Sequence, residues 1–106
     1  MSTKYVLLYE SADDVLAKAA EHLPAHSARG KEFHVRGSLL AYGPFGDPQH
    51  EGSMAVFGTR EAAVEFARGD PFVLNGVVAH WTVFPTTEPG QSVPSWLMPL
   101  MPSPPT

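Results

Sequence analysis

Apolar residues recur along this chain with two different periods, and the switches between them predict its elements. Residues 4–10 (KYVLLYE) are short, aromatic and aliphatic, stop at Ser11 and read as a strand. Ser11 then reads as a helix cap, with Asp13 and Asp14 in the first turn facing the positive end of the helix dipole. Val15, Leu16, Ala19, Ala20 and Leu23 fall on one face at helical spacing. Pro24 removes a donor and clashes with the preceding turn, so a kink or a restart is expected there. The helical pattern resumes through Phe33 and Val35 and should stop at Gly37, with His34 and Arg36 in the last turn. Residues 38–45 (SLLAYGPF) predict a second strand that ends at Gly43 and Pro44, residues 46–52 a loop, and residues 53–58 a third strand. Thr59 caps a second helix with Glu61 and Glu65 outward and Ala63, Phe66 and Ala67 inward, ending near Gly69. Asp70 to Gly76 predict one helical turn, and residues 77–84 (VVAHWTVF) a fourth strand. The order β-α-β-β-α-β is the split plan of a ferredoxin-like α+β fold with a four-stranded antiparallel sheet.

The strands also carry an expectation about assembly. Tyr5, Leu7 and Tyr9 point one way in the first strand, Val6 and Leu8 the other. In the last, Val77, Ala79, Trp81 and Val83 oppose Val78 and Phe84, with His80 and Thr82 between them. Two helices cover only one face of such a sheet, whereas both faces here are largely apolar. An apolar sheet face left open marks a partner site, and the simplest partner is a second copy, sheet against sheet.

Composition narrows the class of function. A chain of 106 residues suits one domain, at 43% hydrophobic and 17% charged. A net charge of −4 without a Lys/Arg cluster argues against nucleic acid and anionic membranes as partners. With no cysteine, disulfides, thiolate nucleophiles and thiolate metal sites are excluded. Residues 1–4 lack the apolar core of a signal peptide and no run approaches membrane-spanning length, so a cytoplasmic protein is expected. Residues 1–84 are expected to form the domain. Residues 85–106 differ in kind, holding seven of the eleven prolines together with Trp96, Leu97, Met98, Leu100 and Met101. This proline-rich tail is expected to dock its apolar residues on the body of the dimer.

Candidate chemistry is sparse. Five histidines are present, with no Gly-x-Ser-x-Gly, Walker or dinucleotide motif. His22 and His26 have the four-residue spacing of a helical metal pair, but Pro24 interrupts them and acidic companions are missing, so no metal is expected. His34 and His50 read as solvated. His80, mid-strand, reads as an interior histidine with a pocket in reach. Asp70, directly before Pro71, has a complete local explanation: its side chain caps a turn whose first position Pro71 fills. A second explanation makes Asp70 one half of an acid–base pair.

Several of these pieces occur together in a known order. The opening strand with Tyr5 to Tyr9, His26 with Gly37 eleven residues on, Leu40 to Phe45, and Asp70, Pro71 and Phe72 before the closing strand resemble the YCII-related family. That resemblance spans residues 4–84 and implies a dimeric ferredoxin-like α+β barrel. It also implies that His26 and Asp70 form the active-site pair. The chain departs from the family pattern at Ser27, Ala28, Arg29 and Gly30, where more apolar residues are usual. In such a pair the carboxylate fixes the imidazole tautomer and leaves its other nitrogen to take or give a proton. The expectation is then a small enzyme of isomerase or lyase type, without a cofactor, acting on a small metabolite. Tyr9, Ser38, Tyr42 and His80 are the candidates for substrate contacts. A non-catalytic dimer that binds a small ligand in the same cleft, and a regulatory module working through its tail, stay open.

Overall fold

Residues 3–86 are described by a computed structural model. The elements run β1 (Tyr5–Ser11), α1 (Val15–Val35), β2 (Leu39–Pro44), α2 (Pro48–Glu51), β3 (Ser53–Phe57), α3 (Arg60–Gly69), α4 (Pro71–Leu74) and β4 (Val78–Pro85). The four strands make one antiparallel sheet in the order β2-β3-β1-β4, the ferredoxin-like arrangement that the element order implies.

Period-two alternation decides which residues meet the helices. Leu7 and Tyr9 of β1 pair with Ala55 and Ser53 of β3 on one side and with Val83 and Trp81 of β4 on the other. Leu7, Tyr9, Ala55 and Phe57 then pack against Phe33 of α1 and Ala63, Phe66 and Ala67 of α3. Phe33 stands edge-on to both Phe57 and Phe66, with centroids 6.4 and 5.2 Å apart. Leu8, Met54, Val56 and Phe84 lie at least partly exposed on the opposite face, which no helix covers, while Val6 between them is buried.

Four local expectations are corrected. Ser11 does not cap α1; it remains in β1, and its hydroxyl donates to the carbonyl of Pro48 at 2.5 Å. The helix starts at Val15 after Asp14 in a left-handed conformation (φ 59°), and no acid lies in its first turn. Its cap comes from far along the chain: the Gln49 side chain accepts from the Val15 amide and donates to the Ala12 carbonyl, both at 2.9 Å. Pro24 neither kinks nor restarts α1, which runs through it for 21 residues. Pro24 and Ala20, the ends of the missing hydrogen bond, are both exposed, so water serves the orphan carbonyl. The expected loop at 46–52 contains the single-turn α2. Gly37 does stop the helix, at φ 81°. The last strand extends one residue past Phe84: Pro85 faces Tyr5, and Thr86 and Lys4 are hydrogen-bonded beyond it. Trp96, Leu97, Met98, Leu100 and Met101 lie outside the described residues.

Candidate active site

Asp70 sits at the junction of α3 and α4 and is wholly buried, the only charged residue in the core of the described chain. Three donors converge on it. Oδ1 accepts from the Phe72 amide at 3.0 Å, which is the cap expected of an Asp before Pro71. The same oxygen lies 2.7 Å from Nδ1 of His26 on α1, and Oδ2 accepts from the Tyr9 hydroxyl of β1 at 2.6 Å. A buried carboxylate is costly unless hydrogen bonds replace its water, and here α1, β1 and α4 each supply one. Asp70 therefore caps its own turn and is hydrogen-bonded to His26 at the same time.

The geometry fixes the histidine. An acceptor at Nδ1 requires a proton there, so the neutral ring carries its free lone pair on Nε2. Phe72 stacks flat on the imidazole, with centroids 3.7 Å apart and planes 5° from parallel, and Phe66 meets its edge at 6.1 Å. The ring is pinned on one face and one edge, and its side chain retains 20% exposure. That exposure opens onto a cavity of about 310 Å³ between α1 and the sheet, lined by both His26 and Tyr9.

Tyr9 is held as a phenol. Burial first, then the adjacent Asp70 charge and the hydrogen bond to it, push its hydroxyl far above the ordinary tyrosine range, with Arg29 pulling weakly the other way. Arg29, one turn after His26, spends its guanidinium on the end of α3: Nη2 donates to the Glu65 carbonyl at 2.7 Å and Nε to the Phe66 carbonyl at 3.2 Å. It also lies 4.8 Å over the Phe33 ring. A Cβ on Gly69 would fall 2.4 Å from that guanidinium, so a side chain directly before Asp70 would push Arg29 from its place.

Residues 3–87 match the profile of the YCII-related domain. Relatives called Protein YciI, from Escherichia coli O6:H1 and Shigella flexneri, are each 36% identical over 91 residues, covering 76% of this chain and 93% of theirs. The chain belongs to the YCII-related family. Among solved structures it is similar in fold to 5-chloro-2-hydroxyhydroquinone dehydrochlorinase (TftG) from Burkholderia phenoliruptrix AC1100, determined with 2,5-dihydroxybenzoquinone. The TM-score is 0.61 at 18% identity, over 76% of this chain and 90% of the other.

Within this YCII-related chain the residues singled out from sequence divide sharply. His26, Asp70 and Tyr9 come together, and Tyr42 lines the mouth of the cavity while 66% exposed. Tyr9 is not free to donate to a substrate, because its one proton is committed to Asp70. Ser38 is not among the residues that line the cavity: it precedes β2, and its carbonyl accepts from the Gly58 amide. His80 is also misplaced: it pairs with Glu10 on the outer sheet face and is exposed, since alternation in β4 gives the inner face to Trp81 and Val83. His22 pairs loosely with Glu21 at 3.9 Å, and among the described residues no three His, Asp or Glu side chains gather as a metal site. No helix of the described residues is long and apolar enough to cross a membrane. Two contributors escaped the sequence reading. Phe72 stands two residues after Asp70, where a capped turn directs it back over the site, and Arg29 needed the tertiary packing of α1 on α3 to acquire a role.

Proposed function

We propose that this protein is a small-molecule enzyme of isomerase or lyase type in which His26 moves a proton at Nε2, Asp70 orients it and Tyr9 holds Asp70. The observation that carries the reading is a buried carboxylate with three donors, one of them an imidazole nitrogen at 2.7 Å, beside an apolar cavity. In an elimination, Nε2 takes a proton from the substrate. The electron pair left behind forms a double bond, and the leaving group departs with its own pair. In an isomerisation the same proton returns at a different atom. Neither course draws on a cofactor, and the developing imidazolium would be stabilised by the Asp70 carboxylate. The dehydrochlorinase activity of the similarly folded TftG supports elimination as the first chemistry to try.

The uncovered sheet face completes the proposal. Leu8, Met54, Val56 and Phe84, each at least partly exposed, form an apolar strip suited to a second copy, and a homodimer closed sheet against sheet would cover it. A cytoplasmic location fits a chain without cysteine.

The test is chloride release from 5-chloro-2-hydroxyhydroquinone and related ring compounds by the full chain, with His26→Ala and Asp70→Asn beside it. Each variant should lose about 100-fold or more in rate, and the double variant should be no worse than either single one. Equal rates in wild type and His26→Ala would sink the assignment. Ligands that bind tightly and never react would favour a non-catalytic binding module instead.

A further inference from the structure

Resting on the acid–base reading of the same site, we infer that the cavity selects uncharged, flat ring compounds with an acidic proton and turns away their carboxylated or phosphorylated counterparts. No lysine, arginine, aspartate or glutamate lines it, and of its lining side chains only His26 can carry a positive charge. Its walls are mostly aliphatic and aromatic, with Leu7 and Ala55 from the sheet, Ala19 and Leu23 from α1 and Phe66 and Val77 beyond, interrupted by the hydroxyls of Ser27, Ser53 and Tyr42. A volume of about 310 Å³ between a helix and a sheet has room for a single ring with its hydroxyl toward Nε2.

The electrostatics at the polar end disfavour anions. The one charged group directly behind the imidazole is the Asp70 carboxylate, 2.7 Å from Nδ1. An anionic substituent would lose its water and find hydroxyls at Ser27, Ser53 and Tyr42, but no lysine or arginine to offset its charge. Arg29, the nearest cation along α1 beyond His26, is already spent on the Glu65 and Phe66 carbonyls and on the Phe33 ring. None of the other six Lys and Arg residues (Lys4, Lys18, Lys31, Arg36, Arg60 and Arg68), all within the described segment, lines the cavity.

Three probes of one ring size separate charge from shape: 1,4-dihydroxybenzene, 2,5-dihydroxybenzamide and 2,5-dihydroxybenzoate, the last two nearly identical in outline. By titration calorimetry of the full chain at pH 7, the two neutral compounds should bind within about threefold of each other and the benzoate at least about tenfold more weakly. Leu23, half exposed at the cavity wall, tolerates a cation, and Leu23→Lys should bring the benzoate to within about threefold of the amide. A benzoate that binds wild type within about twofold of the amide overturns the inference, as does failure of both neutral compounds to bind. Turnover is not the readout. A ring compound that binds and never reacts counts against the acid–base chemistry and leaves the charge selection standing.

Discussion

The inward residues of α1 meet different fates in its two halves. In the C-terminal half Phe33 is 1% exposed and Gly30 is buried, with Val35 turned outward, whereas in the N-terminal half Val15 alone is buried, Leu16 is 73% exposed and Leu23 50%. The difference lies in what the sheet presents. Opposite Phe33 stand the rings of Phe57 and Phe66. Opposite the first turns of the helix stand Gly43, Gly52, Ser53 and Ala55, which fill little space. Volume missing from β2 and β3 becomes cavity, and the aliphatic residues of α1 that would have been core become its wall. Gly52 could not easily be larger: at φ 79° an added Cβ would lie 1.9 Å from the Tyr9 carbonyl oxygen. His26 is placed where the closed half gives way to the open one.

The widest gap between the halves should appear on truncation. Phe33→Ala removes a ring from close packing and should cost about 3–5 kcal/mol, while Leu16→Ala should cost less than about 0.5 kcal/mol. Urea unfolding of the two variants measures both. Similar losses would mean that a partner surface closes the open half as firmly as the core closes the other.

At the boundary the expected effect is smaller and depends on chemistry. Asp70→Ala removes a cap and leaves the Tyr9 hydroxyl and His26 without their shared acceptor, for a loss of about 2–4 kcal/mol. Asp70→Asn keeps an oxygen for the cap and should cost about 1 kcal/mol, while the amide cannot stabilise a protonated imidazole. Stability retained with activity lost separates the long-range role of Asp70 from the local one; loss of both would reduce it to a structural centre.

Tyr9 links the same boundary to pH. Its folded-state pKa is raised above the unfolded value of about 10, so its contribution is fully present below about pH 10 and is lost as pH climbs beyond it. Wild type should therefore weaken more steeply than Tyr9→Phe above about pH 10. At neutral pH the variant should be about 1–3 kcal/mol less stable, because an oxygen of a buried carboxylate loses its donor. Urea midpoints at pH 7, 9 and 10.5 give both quantities. Parallel alkaline profiles would show that Tyr9 ionises without cost in the fold.

What could be read from the chain beforehand follows the range of the forces involved. The order of elements along the chain, the Gly37 stop and the Thr59 cap, which accepts from the Ala62 amide, rest on neighbours within a few residues and were legible. The start of α1 was not, because Ser11 is claimed by the sheet and by Pro48, and the cap arrives from Gln49. For the site, the cap at Asp70 was legible locally, but its link to His26 rested on resemblance, since nothing in the spacing of residues 26 and 70 brings them together. Alternation alone could not say which face of β4 meets the helices. His80 consequently lies on the outer face, away from the pocket expected for it, and the Tyr9 hydroxyl donates to Asp70 while the residue lines the cavity.

The smallest expected effect concerns the first turn of α1, which the open half holds only by a side chain. Gln49 spans the Val15 amide and the Ala12 carbonyl from α2. Gln49→Ala should cost about 0.5–1 kcal/mol in global unfolding, the size of a lost cap. Its local signature should be clearer than its global one. Amide exchange at Val15 and through the turn after it should speed up, because these residues cover a cavity and not a core. Exchange around Phe33 should be set by global unfolding in both proteins and slow or speed only with total stability. Uniform acceleration along the whole helix would mean that α1 opens as one unit, and the contrast between its halves would then be one of packing alone. Acceleration confined to the first turns would mean that the wall of the cavity can move while the histidine and its carboxylate stay in place.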